Sequence, residues 1–217
     1  ATVAVVGGSG LYDIAWFDVG TSLAIGQTTL TATGLVAGCY YAEITDQSAP
    51  ACIVFSDTVC ITDPAVISFT TTAVDATCFG TCDGEVSWTA SGGVGIITSE
   101  LFLVGPPDVS QGNANPTCTL CIGDYYVVHT DGNLCVQNSD TVTVAEPAAI
   151  VGTTSGNDPL CNGGNSGDAT VAIVGGSGLY DVEWFDVTPL TTGQTTLTAT
   201  GLIAGCYYAV ITDQSAP

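Results

Sequence analysis

Hydrophobic and polar residues alternate along this chain in short runs, and the runs are separated by Gly, Asp, Asn and Pro. Between residues 65 and 147 the alternation predicts strands over Val66–Val74, Glu85–Ala90, Ile96–Val104, Tyr125–Thr130 and Thr141–Ala145. No stretch holds a helical period over about twelve residues. Several strands at this spacing imply an all-β chain built from tandem immunoglobulin-like β-sandwich units.

The pattern repeats at two levels. Ala1–Pro50 returns at Ala169–Pro217 with about four-fifths of its positions identical and a one-residue gap near Thr188. An older period aligns Cys78 with Cys161, Gly92-Gly93 with Gly175-Gly176, and Gly123–Tyr126 with Gly205–Tyr208. Two unit types therefore alternate: unit A over 1–64, unit B over 65–147, and a second unit A over 148–217. The first A lacks its first strand and the second lacks its last. Ala1 and Pro217 read as borders of a window on a longer polymer; the alternative is an assembly in which one subunit completes its neighbour's sheet. Such self-similarity suggests reach or assembly before it suggests a reaction.

Parity sorts the faces. Tyr40, Ala42 and Ile44 share a side, with Val59 and Ile61 on the next strand; the B counterparts are Tyr125, Val127 and His129. Gly34–Tyr40 resembles the approach to a tyrosine corner, with Tyr125 and Tyr207 equivalent to Tyr40. The single histidine thus falls on a core position rather than a ligand or base position. Trp16 and Trp184 stand on the third strand where B has Leu101, and Trp88 stands on the second where A has Val3 and Val171. One indole per unit is the mark of an interior of fixed volume. Tyr41, Tyr126 and Tyr208 point outward, towards a glycan, a neighbouring filament, or the side chains of the next strand.

Charge excludes whole classes of function. The chain has no Lys or Arg against 21 acidic residues, for a net charge of −21. Nothing here can displace counterions from a nucleic acid. With 46% hydrophobic residues it is a folded protein kept soluble by uncompensated carboxylates, not an acidic tail. No membrane insertion is expected within the segment. A lone core-facing histidine supports no Ser-His-Asp set, no cation is present to stabilise an oxyanion, and no carboxylate pair recurs in both unit types. No enzyme is expected. No cofactor is expected either: Gly7–Gly10 and Gly175–Gly178 lack the Lys and helix of a phosphate loop and read as flexible turns. Residues 157–168 lack calcium-loop spacing, although so acidic a surface remains compatible with calcium.

Ten cysteines with no zinc spacing point to an oxidising compartment. Cys118 and Cys121 form a Cys-x-x-Cys, but no second pair and no neighbouring cation accompany them. Cys39 and Cys60 are both replaced in B, by Asp124 and Thr143, so a Cys39–Cys60 bridge is expected. Cys206 then needs a partner beyond Pro217. Cys82, Cys118 and Cys121 are peculiar to B, and Cys82 can reach either of the others. Cys78 and Cys135, with their A counterparts Cys161 and Cys52, leave two arrangements open. One is in-unit pairing, although sandwich topology sets Cys78 and Cys135 roughly 20 Å apart. The other is a staple in which Cys52 or Cys135 meets the leading cysteine of the preceding unit.

The units resemble the SprB-type repeat of giant surface adhesins of gliding and other Bacteroidota. The residues that carry the likeness are Cys161-Asn-Gly, Gly175-Gly176, Trp184, Leu202–Tyr207 and Thr212-Asp213. Cys52 and Pro64 close the pattern in A, as Cys135 and Pro147 do in B. Unit B departs by lacking the third-strand Trp and by inserting Gly105–Cys121. The resemblance implies a disulfide-stabilised structural repeat of a cell-surface adhesin or filament, exported by type IX secretion, with neighbouring copies of the array as partners. A carbohydrate-binding module repeated for avidity on surface polysaccharide is the alternative. Asp57-Thr58 and Asp140-Thr141 resemble the Bacteroidota O-glycosylation acceptor, with Thr58 and Thr141 as candidate sites on the last strand.

Overall fold

The computed structural model describes all residues except Ala49, Ala51, Pro189 and residues 215–217, so the boundary at Pro217 lies outside the described residues. The chain divides into two compact units, Ala1–Ala65 and Val66–Pro217.

In the first unit, β1 (Tyr12–Asp18) pairs antiparallel with β2 (Gly38–Asp46). On its other side β2 pairs with β3 (Cys52–Phe55) and β4 (Val59–Ile61), the two halves of a broken last strand. The break is made by Ser56, whose Oγ accepts from Ala42 N while its own N–H donates to Ala42 O. Residues 1–6 form no strand; their backbone meets the segment around Thr31, through the Thr2–Thr31 bridge and the Val3 N–H to Leu30 O bond, while Ala1 and Val3 pack on the core of Ile14, Trp16, Ala32, Tyr40 and Ala42.

The second unit holds two sandwiches. In one, β5 (Ser68–Val74), β6 (Gly84–Ser91) and β9 (Thr117–Leu120) make a sheet. It faces a sheet of β7 (Thr98–Leu103), β8 (Val109–Gly112), β10 (Gly123–Thr130), β11 (Val136–Asn138) and β12 (Val142–Val144). Val86, Trp88 and Leu120 from the first sheet pack on Leu101, Tyr125, Val127 and Val144 from the second. The other sandwich sets β13 (Val151–Asn157), β14 (Gly167–Val174) and β16 (Thr198–Leu202) against β15 (Tyr180–Asp186) and β17 (Tyr207–Asp213), around Val171, Val182, Trp184, Ala199 and Leu202.

The fold is all-β and immunoglobulin-like, and each sandwich carries a tyrosine corner. Tyr40, Tyr125 and Tyr207 each donate their hydroxyl to the carbonyl four residues upstream, on Val36, Cys121 and Ile203, at 3.0, 2.8 and 3.1 Å. The Tyr125→Phe substitution is expected to destabilise its sandwich by about 1 kcal/mol, read as a lowered denaturation midpoint at unchanged slope.

The strand assignments in unit B hold to within two residues at each end; the segment Gly105–Cys121 contains β8 and β9, and β9 is no addition, since Leu120 stands opposite Gly84 as Leu202 of β16 stands opposite Gly167. Asn115 replaces a missing ladder partner for Trp88, accepting from its N–H and donating to its carbonyl. The volume exchange is also finer than one indole per unit. Trp16 and Trp184 stand directly opposite Ala42 and Ala209, whereas Leu101 stands opposite Val127. Large against small on neighbouring strands keeps each layer at constant thickness.

Two expectations change. Val59 shares the side of Tyr40 but is 39% exposed, with no strand covering it among the described residues; its counterpart Val142 packs on the core beside β5. The Gly-Gly-Ser-Gly turns are not flexible but pinned. Asp46 accepts from the N–H and hydroxyl of Ser9, and Asp213 does the same for Ser177.

Candidate functional site

The Thr-Asp that ends the tyrosine strand has a structural use. Asp131, the B counterpart of Asp46 and Asp213, is buried and accepts from the N–H groups of Val94, Asn133 and Cys135, each at 2.9 Å. The bond from Cys135, followed by that from Val94, holds its carboxyl below the ordinary aspartate range. Gly92 and Gly93 beside it are in the left-handed region, and a Cβ on Gly92 would lie 2.1 Å from Val66 O. A lowered folded pKa gives stability that is present above about pH 4 and lost as pH falls through the folded value. Acid unfolding that is unchanged in Asp131→Asn would contradict this role.

His129 is fully buried, as a core position requires. Its Nδ1 meets Ser99 Oγ at 2.8 Å, its ring stacks on Phe69 at 5.0 Å, and Nε2 is buried without a hydrogen-bond partner. Ser99 and His129 are a cross-strand pair, and the same place in the A units holds Ile14 with Ile44 and Val182 with Ile211. Phe69 is likewise exchanged for Gly152, where a Cβ would lie 2.5 Å from Ile211 Cδ1. Sequence reasoning missed this group, although Ser99 switching together with His129 was a visible signal. Burial holds the histidine below its ordinary pKa. The unfolded chain therefore binds a proton near pH 6.5 that the folded chain refuses, and stability falls as pH drops through that value. The triple substitution Phe69→Gly, Ser99→Val and His129→Ile, which installs the whole A-unit set, is expected to remove that component of the pH dependence of Tm between pH 7.5 and 5.5.

Among the described residues two disulfides are formed, Cys39–Cys60 between directly opposed residues of β2 and β4, and Cys82–Cys121. Cys118 is exposed on β9, its thiol donating to Glu85 at 3.4 Å, and that carboxylate pushes the thiol pKa up. Cys78 and Cys135 occupy opposite ends of their sandwich. The loop of Cys78 bonds the segment leaving the unit, through Ala76 N–H to Ala145 O and Gly80 N–H to Glu146. The turn before Cys135 bonds Val94 O, next to Gly93, whose space is bounded by Ile67 where the chain comes in. β10 separates the two ends by about 23 Å at roughly 3.3 Å per residue. An in-unit Cys78–Cys135 bridge is therefore ruled out. Cys52, Cys135, Cys161 and Cys206 are exposed thiols.

The outward tyrosines are packed on the neighbouring strand. Tyr41 stacks on Phe17 at 5.3 Å and meets the edge of Phe55, Tyr126 stacks on Phe102 at 5.5 Å, and Tyr208 stacks on Phe185 at 5.5 Å. Tyr126 also donates its hydroxyl to Asp108 at 2.9 Å, which raises the phenol pKa. Thr58 and Thr141 are exposed, but they lie in the break of the last strand rather than on it, just before β4 and β12. Among the described residues no group of three or more His, Cys, Asp or Glu side chains could hold a metal, and no helix is long and apolar enough to cross a membrane.

The first unit carries an open groove of about 810 Å³ between residues 2–8 and the broken last strand, lined by Val3, Val5, Ile44, Val54, Phe55 and Val59. In the other two sandwiches the corresponding edge is taken by β5 on β6 and by β13 on β14.

No curated protein sequence matches the chain. Among solved structures, the three N-terminal domains of the bacteriophage RB49 highly immunogenic outer capsid protein (Hoc) align over 100% of this chain and 80% of theirs, at 11% identity and a TM-score of 0.46. Extracellular domains 3–5 of Drosophila OTK align over 94% of this chain and 82% of theirs, at 12% identity and a TM-score of 0.31. Residues 70–98, which run from β5 through Trp88 and the Gly92-Gly93 turn to the start of β7, match the family model of the SprB repeat, the family that the motifs of the whole chain resemble.

Proposed function

We infer that this chain is a structural segment of an extracellular surface adhesin or filament, in which disulfide-stabilised sandwiches serve as spacers. The match of residues 70–98 to the SprB repeat carries this reading. The disulfides and the acidic, Lys-free and Arg-free surface agree with life outside a cell. The packing of Tyr41, Tyr126 and Tyr208 on neighbouring phenylalanines favours a spacer over a glycan platform. Bacteroidota origin and type IX export are the finer form of the same reading, as is glycosylation of the exposed Thr58 and Thr141.

Covalent joints belong to this proposal. Cys135 sits where the chain enters its sandwich, and Cys78 lies where it leaves. Cys52 or Cys135 is therefore suited to meet the leading cysteine of the preceding unit, a staple that would carry load between neighbours.

Antibody raised against this chain should label intact producing cells without permeabilisation. Label found only after permeabilisation would overturn the reading. Under force, reduction should lengthen the stretched chain. The two bridges enclose sequence separations of 21 and 39 residues, and at about 3.5 Å per residue their release adds roughly 20 nm of contour. Equal contour lengths with and without reductant would contradict the spacer mechanics.

A further inference from the structure

We propose that Glu146 is a latch that stiffens the joint between the two sandwiches of the second unit, by hooking the linker onto the exit loop of unit B and leaving Pro147 alone between two anchors. The inference deepens the spacer reading by naming what holds one joint; it rests on that reading for its use and not for its geometry.

On the exit side the linker is fixed to unit B by three bonds. Ala145 donates its N–H to Asp75 Oδ1 at 2.8 Å, and its carbonyl accepts from the buried Ala76 N–H at 2.8 Å. Those two bonds hold the backbone only as far as Ala145. Glu146 carries the attachment one residue further: its Oε2 accepts the N–H of Gly80 at 2.6 Å, a residue 66 positions away in the chain. A carboxylate on a backbone N–H makes a charge-assisted bond, stronger than a neutral one. Gly80 sits at φ 74°, in the left-handed region, where a side chain would be strained.

The next sandwich takes hold at Ala148. Gly176 donates its N–H to Ala148 O at 2.7 Å. Gly175 lies against Ala149, where a Cβ would stand 2.0 Å from the carbonyl oxygen, and a Cβ on Gly176 would stand 2.8 Å from Ile150 Cγ1. Asp213 pins this turn through the N–H and hydroxyl of Ser177, so the anchor belongs to the sandwich itself. The entry of unit B is built alike, with Gly92 against Val66 O and Gly93 against Ile67.

Little freedom is left between the anchors. Peptide bonds are planar, the ring of Pro147 locks its φ, and a residue before proline is confined to the extended region, which restricts Glu146. The soft torsions are then ψ of Pro147 and φ of Ala148. Without the hook, both torsions of Glu146 range through that extended region as well. A linker of this length with no anchors would let neighbouring domains reorient independently. The parts of the latch recur along the chain. Asp63 precedes Pro64 as Glu146 precedes Pro147, and Gly163 stands at φ 73° two residues after Cys161, as Gly80 stands after Cys78.

The test is residual dipolar couplings on the isotope-labelled intact chain, with amide hydrogen exchange at Gly80 as the readout of the bond itself. In the natural chain the two sandwiches should share one alignment, equal in magnitude to within about 10%. Glu146→Ala should speed exchange at Gly80 about tenfold. It should also lower the alignment of residues 151–213 relative to unit B by about a third, the difference between rigid and flexible order. Glu146→Gln keeps a carbonyl acceptor at the same reach and should restore most of both. Pro147→Gly leaves every bond in place, returns φ to the joint and should lower the alignment as well. Should Glu146→Ala misfold, the natural chain and Pro147→Gly still decide. Separate alignments in the natural chain overturn the proposal. So do unchanged exchange at Gly80 in Glu146→Ala, faster exchange with unchanged alignment, and a Pro147→Gly chain as stiff as the natural one. None of these outcomes bears on surface labelling, so the latch and the adhesin reading fail independently.

Discussion

Trp184→Ala is expected to destabilise the second A sandwich by about 3–5 kcal/mol, the cost of emptying a buried indole site. Trp184 is fully buried among Val171, Val182, Ala199 and Leu202, and its partner across the ladder is only Ala209. The indole N–H also donates to Thr196 O at 2.9 Å, which fixes the 190s loop over the core. Denaturant unfolding followed by hydrogen exchange should show the loss in residues 151–213 while the first unit, with its own buried Trp16 bonded to Thr29 O, keeps its protection. A loss below about 1 kcal/mol would mean that the layer can collapse. The pairing of a large residue with a small one would then not set its thickness.

Removing the Cys82–Cys121 bridge by a double Ser substitution is expected to cost unit B about 4 kcal/mol, from the entropy returned to an unfolded loop of this length. The bridge is placed to matter more than loop length suggests. Cys121 supplies the carbonyl that receives the Tyr125 hydroxyl, so one residue anchors the insert, the loop before β6 and the tyrosine corner. Tyr125→Phe in the bridged chain and in the double variant should therefore differ in cost, because the corner's acceptor is held in one and free in the other. Additive costs within about 0.3 kcal/mol would show that the two anchors act independently. The Cys39–Cys60 bridge closes a shorter loop between opposed strand residues, and its loss should cost the first unit somewhat less, about 3 kcal/mol.

Much of the fold was legible because strands and tertiary pairs leave correlated traces when a chain contains several versions of one unit. Alternation placed the strands of unit B. Cys39 and Cys60 switch together between unit types, and they are the residues that face each other across β2 and β4. The same signal lay unread in Ser99 with His129 and in Phe69 against Gly152. Reading it needs the pairing register, and a polar pair in place of an aliphatic one does not announce itself as a core pair. The Thr-Asp and Gly-Gly motifs were also visible as a recurring pattern, but their connection was not. Asp131 reaches Val94 across 37 residues, a contact that no local rule supplies.

By itself the sequence determined an all-β, tandemly repeated, strongly acidic chain with tyrosine corners and a SprB-like pattern. These follow from periodicity, composition and local spacing, which every unit repeats. Only the tertiary structure decided which cysteine Cys82 meets, that Cys78 and Cys135 stand at opposite ends, and that the outward tyrosines are occupied by phenylalanines. Each of these depends on distances between residues far apart in the chain, and such distances are set by sheet register and sandwich closure rather than by any run of neighbours.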